Sequence, residues 1–179
     1  MTKLFAPALA PLSLLALAAF AGGPATQEPS LDVSAFAVDH AVVVAATPEQ
    51  AYDAFTGDVT AWWDHSFAEH PRSLVIEPHP GGRFVETFGD GPDGALHATV
   101  SYARRGEGLD FTGPLGFGAL GLNFDMVHQL RFEAVEGGTR VSIRVRGLGT
   151  VQPGWEQAVQ RVWHHFLDER FKPFVEGEL

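Results

Sequence analysis

The chain contains no cysteine, and it has only two methionines and two tyrosines in 179 residues. Without cysteine there can be no disulfide, no thiolate metal ligand, no cysteine nucleophile and no lipid-modified cysteine. The fold must therefore be held by its apolar core. Hydrophobic residues make up 45% of the chain and aromatic residues 11%, which is sufficient for such a core.

Positive charge is also scarce, because 12 Lys and Arg face 22 Asp and Glu, giving a formal net charge of −10. An acidic chain repels phosphate backbones and anionic lipid surfaces. We therefore expect no nucleic-acid partner.

The N-terminal apolar run, residues 9–20, is too short to span a bilayer comfortably. Lys3 precedes it, and Ala19-Phe20-Ala21 supplies the small-x-small pattern of a signal-peptidase site. The sequence predicts a cleavable signal peptide over 1–21, export to the periplasm or beyond, and no stable membrane span after cleavage. The alternative is an uncleaved anchor. Residues 22–37, small and polar with two prolines, are predicted to be a linker before one domain over 38–179.

The order of secondary-structure signals in this domain predicts an α+β fold. Thr47-Pro48-Glu49-Gln50 is a helix start with a capping box, and apolar residues recur every three or four positions from 152 to about 174. A strand ladder lies between, which predicts a curved antiparallel sheet of six to seven strands closed by one long helix. The predicted strands span 40–46, 73–77, 83–88, 96–104, 109–115, 126–135 and 139–148, and a second short helix spans 59–63.

Period-two alternation assigns faces to these strands. In the last hairpin Met126, His128 and Leu130 share the covered face, and Glu86 falls on the covered face between Phe84 and Phe88. A histidine and a carboxylate facing one cavity would act as a base and its orienting partner, or would bind a polar ligand head. The alternative is that both are structural. Tyr102 is a third candidate for the same cavity.

The predicted ligand-binding set combines these residues with the apolar residues of the sheet and the final helix that would face them. Its members are Phe84, Glu86, Tyr102, Phe111, Met126, His128, Leu130, Val159, Val162, Trp163 and Phe166.

No established catalytic or cofactor motif occurs in a suitable context, so the sequence predicts no cofactor and no metal site. Residues 116–121 match G-x-G-x-x-G in letters but lack the strand–helix–strand setting of a dinucleotide site. Residues 113–125 instead suggest a glycine-rich apolar flap over the cavity, or a strand continued through glycine kinks. His164 and His165 are adjacent on a helix, so they point in directions about 100° apart and cannot bind one metal together.

Four short motifs occur in a fixed order along residues 38–176. They are Ala46-Thr47-Pro48-Glu49-Gln50-Ala51-Tyr52-Asp53-Ala54-Phe55 with Trp62-Trp63, Gly81-Gly82-Arg83-Phe84, Gly137-Gly138-Thr139-Arg140 and Gly154-Trp155. In this order they resemble the START-like, or SRPBCC, superfamily, and within it the heat-shock ATPase activator homologue group. The resemblance implies a helix-grip fold, with two short helices after the first strand and a hydrophobic ligand cavity. The superfamily includes lipid carriers, hormone receptors and polyketide cyclases, so the resemblance implies no single function.

Three functions remain open at this stage. The first is an exported module that binds a small apolar or amphipathic molecule in the cavity. The second is an enzyme of the cyclase, dehydratase or hydrolase kind, using His128 with Glu86 or Tyr102. The third is an interaction module, resembling a co-chaperone, that docks an unidentified protein through an exposed Trp62-Trp63 pair.

Overall fold

The computed structural model describes residues 32–116 and 123–178. The predicted signal peptide and the central part of the predicted flap, 117–122, lie outside the described residues. Among the described helices, none combines the length and the apolar composition that crossing a membrane requires.

The described chain forms one antiparallel sheet of eight strands with a short helix and a long C-terminal helix, which confirms the predicted α+β helix-grip fold. The strands are ordered β1-β8-β7-β6-β5-β4-β3-β2. Their bounds are β1 Ser34–Val44, β2 Gly57–Asp58, β3 Ser73–Ile76, β4 Arg83–Thr87, β5 Gly94–Arg104, β6 Gly108–Thr112, β7 Phe124–Val135 and β8 Gly138–Gly149.

The first strand begins earlier than predicted. Ser34 pairs with Gly149 of β8, and the side chains of Phe36 and Val38 are buried in the core. Residues 34–37 therefore belong to the sheet. The prediction of a linker over 22–37 is wrong for these four residues. The small and polar residues around Ser34 concealed the start of this strand, in which Phe36 and Val38 alternate with exposed residues.

Helix α1, Pro48–Phe55, starts with the predicted cap. The Thr47 side chain accepts a hydrogen bond from the Gln50 amide, and the Gln50 side chain accepts one from the Thr47 amide. The second predicted helix does not form. Residues 59–62 make a single turn in which the amides of Trp62 and Trp63 both donate to the Val59 carbonyl. Packing of the two indoles into the core fixes this turn, overriding the local helical preference.

The β7–β8 hairpin has the predicted faces. Met126, His128, Leu130 and Phe132 of β7 are buried together with Val141, Ile143 and Val145 of β8. An uninterrupted register between these strands preserves the period of two along the whole hairpin.

Strand β5 departs from simple alternation at two β-bulges. The first lies where Phe84 pairs with Ala98 but Val85 pairs with Leu96, which turns His97 inward and leaves Leu96 exposed. The second, between Val100 and Tyr102, leaves Tyr102 on the solvent face. Each bulge adds one residue and reverses the faces beyond it. The predicted inward position of Tyr102 is therefore wrong.

The C-terminal helix consists of α2 (Trp155–His164), a π-helical segment (His165–Phe171) and α3 (Lys172–Val175). The π-helical segment, which the sequence did not predict, buries Phe166, Leu167 and Phe171. Such wider turns are rare and change which side chains share a face. Here the segment places two consecutive residues, Phe166 and Leu167, in the core.

Candidate functional site

A partly open cavity of about 500 Å³ lies between the sheet and the C-terminal helix. Its walls come from the segment after β2, the bulged part of β5, the segment after β6, and the C-terminal helix. The lining residues are Trp63, Asp64, His65, Ser66, Phe67, His97, Leu115, Gly116, Val162 and Phe166. A volume of this size suits a small organic molecule.

The polar centre of this site is a buried pair formed by Glu86 and His97. Both carboxylate oxygens of Glu86 accept a backbone N–H: Oε2 accepts from Phe67 at 3.0 Å and Oε1 from Ala68 at 2.8 Å. His97 Nε2 lies 2.9 Å from Oε2 and donates to it, because the carboxylate here serves only as an acceptor. Three hydrogen bonds therefore satisfy the two buried oxygens of Glu86.

The hydrogen bond to Glu86 fixes the tautomer of His97. With the proton on Nε2, Nδ1 carries a lone pair, and this atom is buried without a hydrogen-bond partner among the described residues. Burial lowers the pKa of His97, while Glu86 opposes that shift. The ring is therefore a neutral acceptor at pH 7, with Nδ1 as its unused atom.

Aromatic rings hold the imidazole in place. Phe84 stacks on the His97 ring with centroids 4.9 Å apart, and Phe67 lies at 5.2 Å. Phe84 is fully buried in β4, whereas Phe67 is partly exposed and lines the cavity. The imidazole is consequently positioned by packing as well as by Glu86.

His128 occupies a different environment from the one predicted. It is fully buried and stacks on Phe111, with centroids 4.7 Å apart, but it does not line the cavity. Neither ring nitrogen makes a hydrogen bond of good geometry with a described residue. Burial lowers the pKa of His128 to about 3, although the Phe111 backbone opposes the shift. The ring is therefore a neutral core residue.

The predicted catalytic pairing of His128 with Glu86 is wrong, because the imidazole bound to Glu86 is that of His97. Tyr102 is also wrong as a cavity residue. It is 41% exposed, and the Arg131 guanidinium lies 5.6 Å from its ring centroid on the solvent face.

The remaining predicted ligand-binding residues divide into two groups. Val162 and Phe166 line the cavity. The others are buried in the core and do not line it, namely Phe84, Phe111, Met126, Leu130, Val159 and Trp163. Of the predicted flap, Leu115 lines the cavity and 117–122 lies outside the described residues.

Sequence reasoning missed His97 and most of the segment 63–67. Strict alternation along β5 predicts that His97 faces outward. Only the structure identifies His97 as a core residue, because it buries two consecutive residues of β5. The adjacent tryptophans were a signal, but one interpreted as an exposed docking site. Trp62 is fully buried and Trp63 is 4% exposed, which contradicts that interpretation.

Asp64 and His65, which line the cavity, form a hydrogen-bonded network with His165 of the C-terminal helix. One ligand atom from each lies within 4.8 Å of the others, a spacing that could hold a divalent cation. In the structure, His165 Nε2 lies 2.9 Å from Asp64, His165 Nδ1 lies 2.8 Å from Glu169, and Arg170 Nε lies 3.2 Å from Asp64. Glu169 and Asp64 raise the pKa of His165. The network therefore ties the 64–66 segment to the C-terminal helix.

Residues 45–176 match the family described as Activator of Hsp90 ATPase homolog 1-like protein. A search of curated proteins gives no significant match. Among solved structures, the chain is similar to a protein from Chromobacterium violaceum, with 21% identity, a TM-score of 0.57, and coverage of 78% of this chain and 96% of that one.

Two further structures extend the similarity of fold. The AHSA1-like protein from Aeromonas hydrophila has 20% identity and a TM-score of 0.57, with coverage of 79% of this chain and 93% of that one. Ara h 8.0201 has 14% identity and a TM-score of 0.58, with coverage of 80% and 99%. At these identities the likeness concerns the fold alone.

Proposed function

The chain belongs to the Activator of Hsp90 ATPase homolog 1-like family, and we propose that it binds a small, largely apolar molecule in the cavity between the sheet and the C-terminal helix. The family's fold supports binding of ligands or proteins, without specifying which. The observation that carries this proposal is the cavity of about 500 Å³ itself.

The walls of the cavity suit an apolar ligand. Trp63, Phe67, Leu115, Val162 and Phe166 contribute apolar surface from three separate parts of the chain. Removing such a surface from water on binding is favourable by about 25 cal/mol per Å². The polar groups are few and are concentrated in the 64–66 segment and at His97. This combination of apolar walls and a few polar groups is typical of small-molecule sites.

The enzymatic alternative loses the residues that the sequence assigned to it. The residues chosen from the sequence for catalysis do not meet, since His128 and Tyr102 lie away from the cavity. The protein-docking alternative loses its anchor because both indoles are buried.

The binding experiment uses the fluorescent probe N-phenyl-1-naphthylamine with the purified protein. Val162→Trp places a large ring on the cavity wall, and Leu148→Trp is the matched control because Leu148 is 60% exposed on the sheet. We expect saturable binding that Val162→Trp weakens at least tenfold and that Leu148→Trp leaves unchanged. No saturable binding, or equal affinities for both variants, would contradict the proposal, provided that circular dichroism shows both variants folded.

We also propose that the protein acts outside the cytosol, which rests on the N-terminal sequence. Lys3, the apolar run and the Ala19-Phe20-Ala21 site support it. Expression in a bacterial host, fractionation and mass spectrometry of the intact chain test this. The expected product is a periplasmic or secreted chain beginning at Gly22. A full-length chain in the cytosolic fraction would contradict it.

A further inference from the structure

We propose that His97 Nδ1 is the polar anchor of the cavity and selects neutral ligands that carry a hydroxyl group. This inference rests on the proposed function and specifies the chemical class of its ligand. It starts from one atom, the Nδ1 of His97. This residue lines the cavity and is only 1% exposed, and its Nδ1 atom has no hydrogen-bond partner among the described residues.

A buried nitrogen without a partner has a free-energy cost that a ligand can remove. Leaving a buried acceptor unsatisfied costs about 1–3 kcal/mol, so a ligand that donates a hydrogen bond to it recovers much of that cost. A ligand of the same shape without a donor leaves the cost in place. The cavity should therefore distinguish the two.

The direction of this hydrogen bond is set by Glu86. Its carboxylate fixes the His97 proton on Nε2, so Nδ1 can only accept. Protonation of Nδ1 would make the ring a donor, but burial lowers the pKa of His97 and opposes that change. The ligand must consequently supply the donor.

The surroundings of His97 also restrict the charge of the ligand. An anionic ligand would place its charge near the Glu86 oxygens, which accept three hydrogen bonds, and opposite the His97 lone pair, which is repulsive. A cationic ligand would lose its hydration against Phe67, Phe166 and Val162, and the carboxylate in the lining, that of Asp64, is already paired with His165 and Arg170. A neutral ligand that carries a hydroxyl group on an apolar frame avoids both penalties. Phenols and alcohols are therefore the ligand class that suits this cavity.

The rings beside His97 indicate where the apolar frame would lie. Phe67 packs on the imidazole and lines the cavity, and Trp63 stacks on Phe166 with centroids 3.9 Å apart on the same lining. An aromatic frame can pack against these rings while its hydroxyl reaches Nδ1. Naphthols are therefore suitable probes.

The test compares 1-naphthol with 1-methoxynaphthalene, which has nearly the same frame but no hydrogen-bond donor, and with the anion 1-naphthoate. Binding to the full-length purified protein is measured by isothermal titration calorimetry. We expect 1-naphthol to bind roughly fivefold to tenfold more tightly than 1-methoxynaphthalene, the effect of one hydrogen bond, and 1-naphthoate to bind weakest.

The variant His97→Phe keeps an aromatic ring between Phe67 and Phe84 but removes the acceptor. It should bind the two neutral naphthalenes with equal affinity, whereas the control His79→Phe, on an exposed loop residue, should retain the preference. If His97→Phe does not fold, the ¹⁵N shift of His97 Nδ1 in the unaltered protein replaces it. That shift should change on adding 1-naphthol and not on adding 1-methoxynaphthalene.

The outcomes separate this inference from the proposed function. If no naphthalene binds, the proposed function fails and the inference fails with it. If both neutral naphthalenes bind equally to the unaltered protein, or if His97→Phe keeps the preference, the cavity binds ligands but His97 does not select them.

Discussion

His97 and Glu86 lie eleven residues apart on the neighbouring strands β5 and β4, and their Nε2 and Oε2 atoms are 2.9 Å apart in the core. The contact exists because a β-bulge turns His97 inward beside a carboxylate that already accepts two backbone N–H groups. Stability and binding are linked at this pair, since it connects the 67–68 loop, the sheet and the cavity.

Glu86→Gln should destabilise the fold strongly. Three donors point at the two Glu86 oxygens, and an amide offers only one acceptor oxygen while adding an N–H₂ group that faces other donors. A loss on the order of 3 kcal/mol in the free energy of unfolding is expected. Urea denaturation measures it. Glu77→Gln is the control, because Glu77 pairs with Arg83 in solvent and should cost much less. Equal losses in the two variants would show that the buried carboxylate has no special role.

His128→Leu should stabilise the protein. Both nitrogens of His128 are buried without good hydrogen bonds to any described residue, and a leucine of similar size removes that polar cost among Phe111 and Trp163. We expect a gain of about 1–2 kcal/mol at pH 7 in chemical denaturation. The control, His79→Leu at an exposed position, should change stability little. A substantial loss in His128→Leu would mean that the imidazole has a partner it needs.

The lowered pKa of His128 should also make the protein less stable in acid. Burial lowers the pKa of His128 to about 3 from its ordinary value of 6.5, so between these values the unfolded chain binds a proton that the folded chain does not. The free energy of unfolding should therefore fall as pH falls through this window, by about 1.4 kcal/mol per pH unit for this group. In His128→Leu the fall should be shallower by that slope. Parallel pH profiles for the two proteins would contradict the assignment.

His165 should have the opposite effect on the pH dependence of stability. Glu169 and Asp64 raise its pKa, so the stabilisation it gives is fully present below its unfolded pKa and is lost as pH rises through its folded pKa. The stability difference between the unaltered protein and His165→Gln should be larger at pH 5.5 than at pH 8.5, as measured by thermal denaturation. His164→Gln, one residue earlier and largely exposed, is the control. A difference that grows with pH would reverse the prediction.

Gly147 should not tolerate alanine. It lies opposite Phe36 in the β1–β8 pair, and a Cβ there would come within 2.3 Å of the Phe36 ring. That ring also stacks on Phe124, so it cannot move freely. Gly147→Ala should lose about 1–3 kcal/mol in the free energy of unfolding. Gly89→Ala, where no atom of the described part of the chain lies within 4 Å of a Cβ, should be nearly neutral. Similar stabilities for both variants would mean that the ring accommodates the methyl group.

The fold was largely predictable because its signals are local and periodic. The Thr47 capping box predicted the start of α1, and the unbroken alternation from Met126 to Phe132 predicted the buried face of β7. Both depend on residues adjacent in sequence. The turn at Val59 was not predictable in the same way, because burial of two indoles determines it.

The candidate site was less predictable for a physical reason. The bulge in β5 turns His97 toward the core and reverses the faces beyond it. No local sequence pattern in β5 predicts this bulge. The pairing partner was therefore predicted as His128, which is as deeply buried but lies in a different part of the core. The π-helical segment had the same effect on the helix, since it changed which residues face the sheet.

The most direct measurement is a long-range ¹H–¹⁵N correlation spectrum of the histidine side chains at pH 7, with and without 1-naphthol. Our account predicts that His97 is neutral with its proton on Nε2, and that only its Nδ1 resonance shifts markedly when 1-naphthol is added. A His97 ring that is doubly protonated, or that carries its proton on Nδ1, would contradict the account.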